Sequence, residues 1–562
     1  MALSLDNDGT KVVPVKGSKL RSFLVVLMWV SVPVLIHFAV LQRYLIDAPV
    51  LDDFNFLDTM YAMTKASGFA DWFKAVVSLQ NEHRAATTRL IPQALAWLTG
   101  SVDFRLLNVC GTLFVLGTFG FILGEHDHKI APPVIGAGAF LLLQWSYNEA
   151  LMQASGALPH LGVVFFAFSG LFFALRPGWK SSAGSAVCGV LAAFSQANGL
   201  LVLPIATAGC LAMGLRKRAA LFAVLAALVW WFYFSNYVRP PNHPSLLSAF
   251  QAPINAIRLF LVIIGGVVPS LAISQAVGGA ILIAVGWITW KGHWRRHPTV
   301  FLWLAFVLLS AATVSAARAG FGLFYGSRYA VNAALLMTLV LFAIYSLTGP
   351  WNRHVCLSVF VLATALSLTI SYAALPEIRE RTLRASLLTE WEPVPATSTL
   401  GRYAGLHYPD ASWATRILSQ AAELGIYHPH RKTPVIPTCS GSEPRPNVAR
   451  QGGVVDEIAV TGRLVTLRGW SDIPFVDSSK DMLLYPATGI VATRVDGLEV
   501  RQDVALALHR PDLLLSGFRL VVEYATESQA IQGANAICVF VAEKGQPASV
   551  LSRSGVNCEK RP

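Results

Sequence analysis

Apolar residues in this chain come in long runs broken by short polar turns, and those runs define its elements. Ser22 to Gln42 is mostly apolar over about twenty residues, the length at which a helix crosses a hydrocarbon core. Further runs lie near Phe104 to Leu123, Ala131 to Gln144, Leu158 to Leu175, Ala183 to Phe194, Leu200 to Leu215, Leu221 to Phe234, Leu271 to Trp290, Val300 to Ala317, Tyr329 to Leu347 and Val355 to Ala374. Ile257 to Val268 is apolar over only about a dozen residues and precedes Pro269, which predicts a re-entrant or broken helix. From Phe56 to Leu98 the pattern is amphipathic: Trp72, Phe73, Val76, Val77 and Leu79 alternate with Lys74 and Gln80, as in helices lying at a membrane surface.

After Pro376 the pattern changes, and no spanning run follows. Residues 376–440 read as a helical linker region, with Trp413, Ile417, Leu418 and Ala421 on one face of a helix from Ser412 to Leu424. Residues 441–562 shift toward a period of two, at Ile458 to Val460, Leu464 to Leu467, Gly489 to Thr493, Phe518 to Tyr524 and Ala536 to Ala542. The expected fold is an all-α polytopic membrane domain over 22–375, with about eleven transmembrane helices and a first outer loop at 43–102. A C-terminal extramembrane β-sandwich follows, with Trp470 in its core.

Composition agrees. Of 562 residues, 54% are hydrophobic and 14% charged, where a soluble protein carries about 25% charged. The net charge of +12 is concentrated in alternate turns: His126 to Lys129, Arg176 to Lys180, Arg216 to Arg218, Lys291 to Arg296 and Arg353-His354. Such blocks face the cytoplasm, as does the basic stretch 1–21, and this distribution argues against a nucleic-acid partner. No small-residue cleavage signal follows Gln42, so the first helix reads as retained. The turns Trp145 to Ala157, Gln196 to Gly199 and Asn236 to Ala252 lack basic blocks and fall on the other side with the tail. Of seven cysteines none forms a C-x-x-C pair; Cys439, Cys538 and Cys558 lie in the tail, where an oxidising compartment would pair two and leave one.

Ionisable groups at a membrane boundary are costly unless water, partners or substrate compensate them. Asp52 and Asp53 follow the first helix closely, and Asn81-Glu82-His83-Arg84 and Arg89 close the same loop. Outside the cytoplasm sugar transfer draws on lipid-phosphate-linked donors. The reaction needs a carboxylate to take the acceptor's proton and cations to hold the departing phosphate. Asp52 or Asp53 fits the first role, and Arg84, Arg89, Arg318 and Arg328 fit the second. Each has a simpler reading. The acidic pair could cap a turn, Glu82, His83 and Arg84 could form an internal ion network, and Arg318 and Arg328 could anchor helix ends at headgroups. Asn148 and Glu149 line a cavity or cap a helix, and His160, alone in an apolar run, reads as a satisfied packing residue. No second histidine stands at ligand spacing from His83, so no metal site is indicated.

The acidic pair after the first helix, the interfacial segment and the many spans together resemble the GT-C superfamily of polyprenyl-phosphate-sugar glycosyltransferases. Asn81 to Arg84, Gln144 to Glu149, Asn198 to Pro204 and Ser327-Arg328-Tyr329 look like stretches of its bacterial members, and the type IV pilin arabinosyltransferase group is a nearer likeness. Gly469-Trp470, Arg501 to Ala505 and Ser516 to Phe518 resemble a β-sandwich module attached to bacterial glycosyltransferases. The resemblance implies an enzyme of the bacterial inner membrane with its C-terminal domain in the periplasm. By it a polyprenyl-phosphate sugar would be passed, with inversion, to a glycan or protein acceptor, with Asp53, then Asp52, as the base. Glu82, His83, Arg84, Arg89, Asn148, Glu149, Arg318, Arg328 and Tyr329 would form the substrate site. Divalent-metal use varies within GT-C and stays open here. The competing readings are a transporter or flippase for lipid-linked glycans and a non-catalytic glycan-binding scaffold. Against the transporter stand the lack of an evident internal two-fold repeat and the place of the acidic pair, outside the first helix instead of at midplane.

Overall fold

Among the described residues, eight helices are long and apolar enough to cross a membrane: Leu24–Tyr44, Phe104–Glu125, Ala154–Ala174, Arg216–Phe234, Leu271–Trp290, Pro298–Phe321, Ser327–Thr348 and Arg353–Thr382. They make this a multi-pass membrane protein. The computed structural model describes residues 16–80, 83–126, 130–238, 248–389, 410–428, 438–442, 448–473, 480–499, 501–508, 510, 513, 516–543, 548–553 and 558. Two compact units divide the chain: Met1–Leu45 with Asn55–Ile378, and Ile46–Phe54 with Arg379–Pro562.

In the first unit, four runs expected from the sequence form helices shorter than a full span: Pro132–Leu142, Trp179–Ala193, Ala197–Ala212 and Pro253–Gly265. At about 1.5 Å per residue, the 11 residues of Pro132–Leu142 cover roughly half of a 30 Å hydrocarbon core. This helix is buried from Val134 to Leu142, so it is hydrophobic because protein surrounds it on all sides. Helix starts follow local chemistry. Asp103 accepts from the N–H groups of Arg105 (2.8 Å) and Leu106 (3.4 Å), and Pro132, Pro253 and Pro298 occupy first turns, where no N–H is required. Pro253–Gly265 packs on Leu271–Trp290 almost backbone to backbone; a Cβ on Gly265 would sit 2.1 Å from the Ser274 carbonyl oxygen. Inside Ala154–Ala174 one turn, Ala157–Leu161, is a π-helix containing Pro159, which has no N–H to give the ladder.

The two kinds of turn gather separately. On the basic side, Glu125 pairs with Arg176 at 3.1 Å, Arg218 donates to the Arg176 carbonyl, and the His126 and His293 rings lie 5.2 and 4.7 Å from that of His297. At the opposite ends of these helices Arg328 pairs with Glu149 at 3.0 Å.

In the second unit, the helix expected at Ser412 to Leu424 spans Ala411–Glu423. Asp410 caps it, accepting from the N–H groups of Ser412 and Trp413 at 3.0 Å each, and Ala414, Ile417 and Ala421 are buried. Tyr427 Oη donates to the Asp47 carbonyl at 2.8 Å, tying Ile46–Phe54 to this unit. Among the described residues eight strands follow: β1 Thr438–Gly441, β2 Val448–Thr461, β3 Leu464–Ser471, β4 Lys480–Tyr485, β5 Ile490–Glu499, β6 Gly517–Tyr524, β7 Cys538–Glu543 and β8 Ala548–Ser552. They form one sheet in the order β1-β4-β7-β8-β2-β3-β6-β5. Its two edges meet, with Thr493 Oγ1 of β5 donating to the Cys439 carbonyl of β1 at 2.7 Å. A barrel-like sheet therefore stands where two stacked sheets were expected. Register shifts in β2, between Val455 and Glu457 and between Gln451 and Val454, supply the bends that closure requires. Trp470 is likewise displaced from the expected core. On β3 the buried positions are Val465, Leu467, Gly469 and Ser471, so strict alternation puts Trp470 half-buried on the outer face with Arg468. Cys538 and Cys558 form a disulfide and leave Cys439 as a free thiol.

Candidate functional site

Asp52 and Asp53 lie in the segment Ile46–Phe54 of the second unit. Leu51 has a left-handed φ of 50°, which turns the chain so that Asp53 opens the helix Asp53–Thr64. Asp53 Oδ2 accepts from the Val50 N–H at 3.1 Å, and its side chain is buried at 1% exposure. Asp52 keeps part of its surface. The two carboxylates therefore differ: one is built into the turn, and the other is presented beside it.

The interfacial segment is built around two arginines of the first unit. Arg84 Nε donates to the Tyr233 carbonyl at 2.7 Å, Nη1 to that of Val77 at 2.9 Å, and Nη2 to that of Ser235. Arg89 Nη1 reaches the carbonyls of Val76 (2.9 Å), Ser78 (2.6 Å) and Ala75 (3.3 Å). Both guanidinium groups thus satisfy carbonyls at the C-terminal end of the helix Phe69–Val77, where orphan acceptors and the negative end of the dipole attract cations. Burial pulls the Arg89 guanidinium down to about 10 against the opposing pull of Asp58, which leaves it charged at neutral pH. Glu82 lies outside the described residues. His83 pairs its backbone with Gln80 across this loop, at 2.9 Å from its N–H to the Gln80 carbonyl.

A second group assembles at the helix ends away from the basic turns. Asn148 and Glu149 start a short helix, Ser327 and Arg328 lie on a 3₁₀ turn, and Glu377 lies on the helix Arg353–Thr389. Arg328 Nη1 bonds Glu149 Oε1 at 3.0 Å, and its backbone N–H reaches Oε2 at 3.3 Å. Ser327 Oγ lies 3.4 Å from Glu149 Oε2 and 3.2 Å from Glu377 Oε1, bridging the two carboxylates, and Asn148 Nδ2 donates to Glu377 Oε2 at 2.9 Å. The Tyr325 hydroxyl lies 3.3 Å from the Ser146 carbonyl oxygen; burial, with the negative charge of Glu377, pushes its phenol up from the ordinary value. Glu377 was missed in the sequence because Pro376 reads there as the end of the membrane domain. The available signal was an ionisable residue at the end of an apolar run.

His160 has the polar partner that a satisfied packing residue needs. The π-turn brings its ring to Gln196, whose Nε2 lies 3.2 Å from Nδ1 and 3.3 Å from the ring Nε2, and 5.8 Å edge-to-face from Tyr329. Arg328, His83 and Arg318 act on it electrostatically. Arg328 also lies 5.3 Å over the Tyr329 ring, and Arg318 lies 5.7 Å over that of Phe321. The first unit thus brings together Asn148, Glu149, Arg328 and Tyr329, with Arg318 and His83 in range. Arg84 and Arg89 hold the interfacial helix, and Asp52 and Asp53 belong to the other unit.

The first unit also holds an apolar groove of about 530 Å³, lined by Pro33, Ile36 and Val40 of the first spanning helix, by Phe140 and Trp145, and by residues between Ser367 and Ile378 of the helix Arg353–Thr389. Two of the lining residues, Trp145 and Ile378, are close in sequence to Asn148 and Glu377. Among the described residues, no three His, Cys, Asp or Glu side chains are arranged to hold a metal ion. No protein-family model and no curated protein matches the chain.

Proposed function

We propose that this chain is an inverting glycosyltransferase of the GT-C type, moving a sugar from a polyprenyl-phosphate donor to an acceptor hydroxyl on the periplasmic side of a bacterial inner membrane. The observation that carries this reading is that one unit holds both an apolar groove, lined in part by Trp145 and Ile378, and the polar cluster of Glu149, Ser327, Arg328 and Glu377. An amphiphile with an isoprenoid tail and a phosphate-sugar head matches that pair of environments.

In the proposed reaction Asp52 or Asp53 takes the acceptor's proton as its oxygen attacks the anomeric carbon from the face opposite the phosphate. The bond to the phosphate oxygen breaks, and a diester carrying one negative charge leaves as a monoester carrying two. Arg318 and Arg328 stabilise the added charge, an interaction that strengthens toward the transition state. The acceptor is a cell-envelope glycan, a lipid-linked polysaccharide or a pilin-like protein. Eleven crossings are kept in this reading, three of them made by the shorter helices Pro132–Leu142, Trp179–Ala193 and Ala197–Ala212 together with the chain that flanks them, with Pro253–Gly265 re-entrant. The gathering of the basic turns at one end supports that alternation, and the Cys538–Cys558 disulfide supports an oxidising location for the second unit.

The test is complementation with glycan analysis in a host lacking the gene, comparing wild type, Asp52→Asn and Asp53→Asn at equal membrane abundance. Loss of one sugar modification with either isosteric change supports the base assignment, and the missing sugar identifies the donor. An unchanged glycan profile with both variants removes the assignment and favours the transporter or the scaffold.

A further inference from the structure

His160 sits where an apolar residue would pack more cheaply, inside a segment otherwise suited to lipid and protein interior. The chain departs from regular helix at this point. The π-turn Ala157–Leu161 inserts a residue, and such turns re-aim side chains and recur at functional sites. His160 as a residue is half-buried, which leaves space at one side of it. Gln196 supplies one amide for two ring nitrogens, at 3.2 and 3.3 Å. Whichever nitrogen that amide serves, the other is left for a second partner. The groups whose fields reach the ring are the guanidinium groups of Arg328 and Arg318 and the imidazole of His83, with Glu149 paired to Arg328 at 3.0 Å. A partner drawn to that space is therefore an anion. Tyr329 walls the ring at 5.8 Å and carries Arg328 on its own face, so the imidazole and that guanidinium are positioned by one aromatic plate.

We propose that His160 is a phosphate-binding residue, donating a ring N–H to an oxygen of a lipid-linked phosphate held beside Arg318 and Arg328, with Gln196 positioning the imidazole. This rests on the glycosyltransferase reading for the identity of the lipid, but not for the anion chemistry. An imidazole donates in either protonation state, so the contact persists as the phosphate passes from one negative charge to two. The monoester product is then held more tightly than the diester donor, because the same donors face twice the charge.

The experiment uses the full chain in lipid nanodiscs and measures binding of a polyprenyl monophosphate, of the polyprenol lacking the phosphate, and of inorganic phosphate. The variants are His160→Ala, His160→Gln and Gln196→Leu, each compared with wild type in thermal unfolding. The expected result is that His160→Ala weakens the polyprenyl phosphate about 10-fold or more, the scale of one hydrogen bond to a charged group, while polyprenol binding holds. His160→Gln, which keeps a donor, restores part of the loss, and Gln196→Leu weakens in the same direction by less. Equal loss of polyprenol and polyprenyl phosphate would make His160 a packing residue and overturn the proposal, as would unchanged binding of both. If His160→Ala does not fold, His160→Gln and Gln196→Leu decide by the same difference between the two lipids. Inorganic phosphate competing as strongly as the lipid phosphate would overturn the lipid source. Binding needs no turnover, so a chain that binds polyprenyl phosphate through His160 yet transfers no sugar would refute the transferase and leave this site standing.

Discussion

His126 and His293 show how a few residues couple the fold to pH. Both are buried, at 3% and 1% exposure, in the loops beyond the ends of spanning helices. Burial, with the nearby His297 imidazole adding to it, lowers His126 to about 3 and His293 to about 4. The groups facing them are Ser346, which meets His126 Nδ1 at 3.3 Å, then Glu125, Arg176 and Arg296. Below about pH 6.5 the unfolded chain binds protons at these positions that the folded chain refuses, so stability is intact above that pH and falls as pH drops toward 4. Each histidine accounts for about 2 kcal/mol of loss by pH 5. Thermal unfolding in nanodiscs between pH 7.5 and 5 should show a falling midpoint, and His126→Gln with His293→Gln should flatten the slope. A slope that the double variant leaves unchanged would place the acid sensitivity elsewhere.

At the scale of elements, the interfacial helix Phe69–Val77 depends on Arg84 and Arg89 more than on its own nine residues. It is too short to persist in isolation, and its Phe69 ring is 77% exposed, which suits a position against lipid headgroups. Arg84 joins the carbonyl of Val77 to those of Tyr233 and Ser235, and so fastens the helix to the end of Arg216–Phe234. Arg84→Ala leaves three carbonyls without this donor and should destabilise the membrane unit by about 2–4 kcal/mol. Arg84→Lys should rescue little, because an ammonium cannot span three acceptors as the guanidinium fork does. Detergent melting curves and protease sensitivity of the 65–85 segment would check this. Wild-type stability with lowered activity would instead return Arg84 to the substrate-contact role its position in the sequence suggests.

For the whole molecule, the disulfide ties the state of the second unit to the compartment in which it folds. Cys538 and Cys558 are 20 residues apart in sequence, and closing a loop of that size is worth about 3 kcal/mol. Burial pushes the remaining Cys439 thiol up to about 12, so at neutral pH it stays protonated and a poor competitor for exchange. Cys538→Ser should lower the melting transition of the second unit, and reductant should do the same to wild type while leaving the variant unchanged. Thiol labelling of wild type in intact cells, with and without reduction, reports which side the unit occupies. A fully reduced pair in freshly isolated membranes would put the tail in the cytoplasm and reverse the topology.

Spanning runs and basic turns were legible along the chain because both are one-dimensional: a helix must match a thickness, and charge sorts by side. The strands around Ile458, Leu464 and Phe518 were legible for the same reason, through a period of two. Count and closure were not. Pro132–Leu142 is as apolar as a span, and only its burial by neighbouring helices distinguishes a core helix from a lipid-facing one. A barrel-like sheet and a sandwich share the same alternation, and the bulges that bend β2 leave no compositional mark. Asn148, Glu149 and Arg328 could be named from their chemistry, but Glu377 joined them only in three dimensions, from 229 residues away in the case of Asn148. His160 reads as a satisfied packing residue in an apolar run, and only the fold identifies its partner as Gln196, 36 residues away. Sequence alone determined that this is a multi-pass membrane protein with an appended β-rich unit, because hydropathy and periodicity are local. Only tertiary structure decided which polar residues share a site, because that depends on which helix ends the packing brings together.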